Sequence, residues 1–273
     1  MRELVDCHIH TQRCGHAVGS VDEYVRVAVD RGLSGIVITE HLALPDEFDP
    51  HRHLSMPACD LEDYLVEIDL ARQRFPEIDV VAGIEADFLL GRESETAAAI
   101  ADARNRADGV RMVLGSVHFI GDWAFDDPHN VDEWDTRDVD GVWLDYFDLW
   151  RAAAKSGMFD VMAHPDLPKK FGHRPSFDTR ELFFDAAATA ADAAVAIEVS
   201  TAGLRKPVGE LYPAHDLLVA FQRADVPATV GSDAHEPSEV GYEIPAAYDA
   251  LLAAGYETVQ FPDLTTGWRT ISL

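Results

Sequence analysis

Lysine is almost missing from this chain. It occurs four times in 273 residues, and Asp plus Glu outnumber Lys plus Arg by 49 to 22, for a formal net charge of −27. A surface of that sign repels phosphate backbones and anionic headgroups, so nucleic acid and membrane surfaces are disfavoured as partners. Cysteine is scarce as well. Cys7, Cys14 and Cys59 make neither a disulfide framework nor a CxxC pair and read as reduced thiols. No run is long and apolar enough to span a bilayer. The N-terminus lacks the basic, apolar and cleavage-site pattern of a secretory leader, which makes the cytoplasm the expected compartment. Low-complexity tracts, linkers and sequence repeats are absent too. A single domain over residues 1–273 is expected, with 47% hydrophobic residues for its core.

What is present is an alternation. Short β-branched, apolar runs at 4–10 ("LVDCHIH"), 35–41, 79–87, 112–118, 159–165, 195–201 and 227–235 read as strands, with 257–261 as a candidate eighth. Helical patterns at 20–32, 60–75, 140–157, 178–194 and 237–255 lie between them. The first opens on a capping box, Ser20 with Glu23, and ends at Gly32. This order predicts an α/β fold with a parallel sheet covered by helices, and seven such strands favour a closed barrel over an open sheet.

The predicted strands end in metal-binding chemistry. The first ends in His8 and His10, the second in His41, the third in Glu85 with Asp87, the fourth in His118, the fifth in His164, the sixth in Glu198, and the seventh in Asp233 and His235. His16 follows the first strand closely. One histidine at a strand end is ordinarily structural, but a whole set at the mouth of a parallel barrel converges on one place. On an extended strand Asp6, His8 and His10 share a face, while Cys7 and Ile9 point away. Imidazoles and carboxylates without thiolate suit Zn, Mn or Fe. Glu40 and Asp6 read as groups behind the ligands rather than ligands. His51 and His53 form a second HxH in what reads as a loop, and with His129, His173 and His215 they take an ordinary structural reading. Clustered metal ions activate water and neutralise transferring oxygens, which points to hydrolysis of a phosphate ester or an amide-like bond.

In order along the chain, "DCHIHT…CGH", "ITEH", "GIEAD", "GSVHF", "MAHPDL" and "GSDAH" resemble the polymerase-and-histidinol-phosphatase (PHP) family. "HPDLPKKFGHRP" (164–175), "EVSTAGLRKPVGELYP" (198–213) and "GSDAHEPSEVG" (231–241) are similar to its histidinol-phosphate phosphatase branch. The resemblance implies a distorted (β/α)7, TIM-like barrel with two to three divalent metal ions at the C-terminal ends of the strands. It implies His8, His10, Glu85 and Asp233 on one metal, His16, His41 and His235 on a second, and Glu85, His118 and His164 on a third, with Glu85 bridging. It also implies a small phosphorylated substrate, L-histidinol phosphate, cleaved to L-histidinol and phosphate in histidine biosynthesis.

Three of the four lysines, Lys169, Lys170 and Lys206, fall in the branch-like segments beside Arg174 and Arg205. In so acidic a chain this clustering suits a phosphate dianion. Arg205 is the first candidate for that contact, with Arg174, Lys170 and Lys206 beside it. Asp233, His235 and His41 are the candidate catalytic groups for proton delivery to the leaving oxygen, and that role stays open among them. Glu198, Asp166 and Asp126 are candidates for a substrate amine. Trp123, Phe125 and Trp134, in 119–140, read either as a wall over the substrate or as a loop packed on its own barrel. Three alternatives remain. They are another small phosphate or nucleotide as substrate, a metal-dependent amidohydrolase, and a non-enzymatic metal-binding module. No lysine falls at a strand end, which disfavours a lysine-bridged amidohydrolase. The sequence leaves the oligomeric state open.

Overall fold

The computed structural model describes residues 2–107, 109–264 and 267–273. Its strands are β1 (Val5–Asp6), β2 (Gly35–His41), β3 (Asp79–Asp87), β4 (Met112–Ser116), β5 (Phe119–Ile120), β6 (Trp123–Ala124), β7 (Val161–Met162), β8 (Ala196–Ser200), β9 (Ala228–Gly231), β10 (Thr258–Pro262) and β11 (Trp268–Ser272). Seven of them form one sheet in the order β1-β2-β3-β4-β7-β8-β9. Every pairing in it is parallel. Val37, Ile38, Val80, Val81, Val113, Val161, Val199 and Val230 are fully buried, as the near-continuous apolar runs of strands covered on both faces require.

The segment after β1 nearly closes the barrel. Cys7 N donates to Val230 O at 2.8 Å and His10 N to Ala234 O at 2.9 Å, while Thr39 N donates to Ile9 O at 2.7 Å. Residues 7–10 are thus stitched to β2 on one side and to the end of β9 on the other. The regular ladder is shorter than the expected 4–10 because His8 N turns to the carboxylate of Asp6 instead of a neighbouring strand. The candidate eighth strand, β10, lies outside the barrel sheet and pairs antiparallel with β11. Its Phe261 packs so closely on Gly35, the first residue of β2, that a Cβ there would stand 2.6 Å from the ring.

The helices are α1 (Val21–Asp30), α2 (Leu61–Arg74), α3 (Glu93–Asn105), α4 (Val139–Lys155), α5 (Arg180–Ala193), α6 (His215–Arg223) and α7 (Ile244–Ala254). The capping box forms, with Ser20 N donating to Glu23 Oε2 at 2.8 Å. Sequence periodicity missed α3 and α6. In α3 only Ile100 and Ala103 are buried, so there is almost no apolar stripe to read. The expected helix over 237–255 is broken, and only its second half is α-helical. Gly241 and Glu243 take positive φ (+68° and +50°), and Gly241 N is committed to Asp6 Oδ2 at 2.7 Å.

Asp6 is the knot of this end of the barrel. Fully buried, it accepts from the backbone of Ser232 (2.8 Å), Gly241 and His8 and from the Ser232 hydroxyl. Burial pushes its carboxyl up, against the pull of those donors. Replacing Asp6 with Ala strands several buried donors and is expected to lower stability by about 2–4 kcal/mol. Urea denaturation at unchanged m-value checks this, and a loss below about 0.5 kcal/mol would contradict it.

Candidate metal centre

The parallel register builds the centre. His41 ends β2 directly opposite Glu85 of β3. His118 follows β4, His164 follows β7, and Asp233 and His235 follow β9. Glu85 Oε2 lies 3.3 Å from Nε2 of both His8 and His10 and 3.2 Å from His41 Nδ1. Its Oε1 lies 3.0 Å from His164 Nε2 and 3.7 Å from His118 Nε2. Asp233 Oδ1 stands 3.6 Å from His8 and 3.4 Å from His10. Three groups have ligand atoms within 4.8 Å of one another: His8–His10–Asp233, Glu85–His118–His164 and His10–His41–His235. All nine expected ligands therefore meet in one place. In the third group His10 joins His41 and His235, and His16 stands beside it, its Nε2 3.1 Å from His235 Nε2.

The imidazoles are held from behind. Nδ1 of His8 faces Glu198 Oε1 at 2.8 Å, and that of His118 faces Asp87 Oδ1 at 3.0 Å. Nδ1 of His16 faces His53 O at 3.0 Å, and that of His235 faces Asp233 O at 3.1 Å. Carboxylate and carbonyl oxygens only accept, so each Nδ1 carries a proton, and Nε2 is the nitrogen left to face a cation. His16 and His235 then aim lone pairs at each other across 3.1 Å. A cation between such nitrogens turns repulsion into ligation, and carbonyl- or carboxylate-backed imidazoles are the usual orientation for one. The donor set fits divalent metal.

The charges point the same way. Burial alone would raise Glu85, but His8, His41, His10 and His164 more than offset it and hold its carboxyl well below the usual range. Asp233 behaves alike, with His8 and His10 outweighing burial. Burial lowers His10, but Asp233, Glu40 and Glu85 outweigh it and bring it up to about 10. Burial and the charge of His10 push His41 and His235 well below their ordinary value. Ionised carboxylates thus sit beside a protonated His10 and the neutral rings of His41 and His235, whose free ring nitrogens can take a cation.

Above the ligands opens a cavity of about 370 Å³. Of the four cations expected at phosphate, Lys170 and Lys206 line it. Lys170 pairs with Asp126, also in the wall, at 2.9 Å. Burial and the nearby Lys170 lower Lys206. Arg205 and Arg174 are not in the wall. The Arg205 guanidinium is occupied elsewhere, donating to the carbonyls of Ser232 (2.9 Å) and Asp233 (3.0 Å) and pairing with Glu239 at 2.8 Å. Arg174 is partly exposed and pairs with Glu210 at 2.6 Å. All three amine candidates are paired: Glu198 backs His8, Asp166 pairs with the buried Lys169 at 2.9 Å, and only Asp126, on Lys170, stays in the wall. Trp123, Phe125 and Trp134 pack inward, ring against ring, while Phe119, Ala124 and residues 126–129 form the wall. The ordinary reading of His53 missed its backbone, which orients His16. Asp87, two residues beyond Glu85 on the same strand face, was legible as a partner from that spacing alone.

Residues 6–202 match the sequence profile of the PHP domain. The chain belongs to the PHP family. It is 40% identical over 264 residues to the "Probable histidinol-phosphatase" of Deinococcus radiodurans, covering 96% of this chain and 97% of that one. It is 27% identical over 270 residues to the "Histidinol-phosphatase" of Bacillus subtilis, covering 90% and 97%. Among solved structures, the histidinol phosphate phosphatase of Lactococcus lactis, crystallised with Zn, L-histidinol and phosphate, superposes with a TM-score of 0.79. That pair shares 22% identity over 96% of this chain and 97% of that one, and shows the distorted (β/α)7 fold. The PHP match ends before β9, yet the loop after β9 carries Asp233 and His235 into the same cluster of side chains.

Gly231, at the end of β9, lets this happen. A Cβ there would stand 2.1 Å from Glu198 Oε1 and 2.5 Å from His8 Cβ. Gly231→Ala is therefore expected to displace Glu198 from His8 and weaken metal binding roughly tenfold or more. Metal titration of the apo-protein reads this, and wild-type affinity would show that the contact is not constraining.

Proposed function

We propose that this chain is a metal-dependent phosphatase that hydrolyses L-histidinol phosphate to L-histidinol and phosphate, a step of histidine biosynthesis. The observation that carries the reading is a set of three ligand groups meeting at Glu85 beneath a cavity that two lysines line. The 40% identical relative, named a histidinol-phosphatase, supports the substrate. Two to three divalent ions, Zn, Mn or Fe, would be held by His8, His10, His16, His41, Glu85, His118, His164, Asp233 and His235. When bound, they supply activated water and positive charge at the phosphoryl oxygens.

The chain's own residues do the rest. Lys206 forms no ion pair among the described residues, and with Lys170 it offers a phosphate dianion two cations in a strongly acidic protein. Asp126 aims Lys170. The oxygens behind His8, His16, His118 and His235 keep Nε2 of these four rings turned inward. Asp126 and Asp127 in the wall suit the cationic amine of the substrate. Asp233, His41 and His235 border the same cavity and are the groups to examine for proton delivery to the leaving alcohol. A cytoplasmic setting accords with a biosynthetic substrate, and among the described residues no helix is long and apolar enough to cross a membrane.

The direct test is phosphate release from L-histidinol phosphate against a panel of nucleotide and sugar phosphates, with Zn or Mn supplied. A kcat/KM for histidinol phosphate at least about a hundredfold above the panel is expected, a gap of roughly 2.7 kcal/mol. A chelator should abolish turnover and the metal restore it. Preference for another panel member would transfer the substrate, and no release from metal-loaded protein would overturn the phosphatase reading. Lys206→Met is expected to raise KM about tenfold or more, through loss of a charge-assisted contact, with fold and metal content intact. An unchanged KM would remove Lys206 from the phosphate site.

A further inference from the structure

Tyr212 carries a hydroxyl that the protein does not use. The side chain is 1% exposed and lines the cavity, yet its OH has no hydrogen-bond partner among the described residues. A buried, unpaired hydroxyl in a native structure needs a reason, because leaving it so is unfavourable. The surroundings make the waste more conspicuous. The backbone of Tyr212 is clamped to the end of β8, with Ser200 N donating to Tyr212 O at 2.7 Å and Tyr212 N to Ser200 O at 3.0 Å. Lys169, fully buried, donates to the neighbouring Leu211 carbonyl at 2.7 Å, and its ammonium lies 5.3 Å from the Tyr212 ring centroid. The edge of His164 meets the ring at 6.5 Å between centroids. A Cβ on Gly203 would come within 3.0 Å of the ring carbons, so the chain keeps a glycine where the ring must lie. Every element here fixes the ring, and none satisfies its oxygen.

A phenol hydroxyl is a hydrogen-bond donor at neutral pH. Tyr212 shares the cavity wall with Lys170 and Lys206.

We infer that Tyr212 is a substrate-contacting residue, whose hydroxyl donates a hydrogen bond to an oxygen of the phosphoryl group held beside Lys170 and Lys206. The inference rests on the phosphatase reading for its ligand. It needs no proton transfer, only a fixed neutral donor facing an anion, the kind of hydrogen bond that is strong in a buried site.

Tyr212→Phe in the full-length, metal-loaded protein tests it. Three quantities are compared with wild type: kcat/KM for L-histidinol phosphate, the affinity for inorganic phosphate by calorimetry, and Tm. The expected result is a loss of about ten- to a hundredfold in kcat/KM and a comparable loss in phosphate affinity, with metal content unchanged and Tm equal or higher. A structural hydroxyl would not give that combination, since removing one that is unpaired relieves the fold. Wild-type kcat/KM and phosphate affinity in the variant would overturn the inference. So would a lowered Tm, which would assign the hydroxyl to a partner within the protein. If wild type proves inactive on histidinol phosphate, the phosphate titration still compares the two proteins, and the substrate reading fails separately from the role of Tyr212.

Discussion

Glu85 is a charge in the wrong place for a protein interior. It is 2% exposed on a central strand, and an ionised carboxylate there is tolerated only when opposite charge or strong donors surround it. Five imidazoles do so, three toward one oxygen and two toward the other. This single requirement orders much of the molecule. The His41–Glu85 pairing depends on the β2–β3 register, and a slip of one residue would turn one of the two away from the barrel interior. The barrel itself is the means of bringing four other strand ends within reach of one side chain.

A cluster of donors with shared lone pairs holds its shape only if something rigid stands behind it. Glu198 does this twice. One oxygen faces His8 Nδ1, and the other accepts from His164 N at 2.9 Å. His164 and Asp233 both take positive φ (+26° and +52°), unusual for residues with a side chain. Such turns persist where the surroundings over-determine them. Glu198 pins the first, and Arg205, bonded to the carbonyls of Ser232 and Asp233, pins the second. Arg205 thus serves the centre by shaping the loop that presents Asp233.

The legible part of the sequence was what periodicity and strand-end chemistry encode. The seven barrel strands and the nine metal-type residues follow from apolar runs that end in His, Asp or Glu. Helices α1, α2, α4 and α5 show a buried face, and α1 has its capping box. Helix α3 hid because it buries so little. The break before α7 hid because its cause is a hydrogen bond to Asp6, more than two hundred residues away in sequence. The role of Gly231 hid for a similar reason, since the obstacle to a side chain there comes from β8 and from His8. Long-range constraints of this kind leave no local pattern.

The cations show the same limit from the other side. Scarcity made each lysine informative, and the clustering of Lys169, Lys170, Arg174, Arg205 and Lys206 did mark the segments around the cavity. Clustering fixes neighbourhood, though, and not partner. Each cation is assigned by which carboxylate or carbonyl reaches it first in space. Glu210 takes Arg174, Asp166 takes Lys169, and Glu239 with two carbonyls takes Arg205. What is left facing the cluster of His, Asp and Glu side chains is Lys206, with Lys170 held by Asp126 beside it. In so acidic a protein most cations are taken by carboxylates or carbonyls that hold them in structural roles, and only Lys206 and Lys170 reach the cavity.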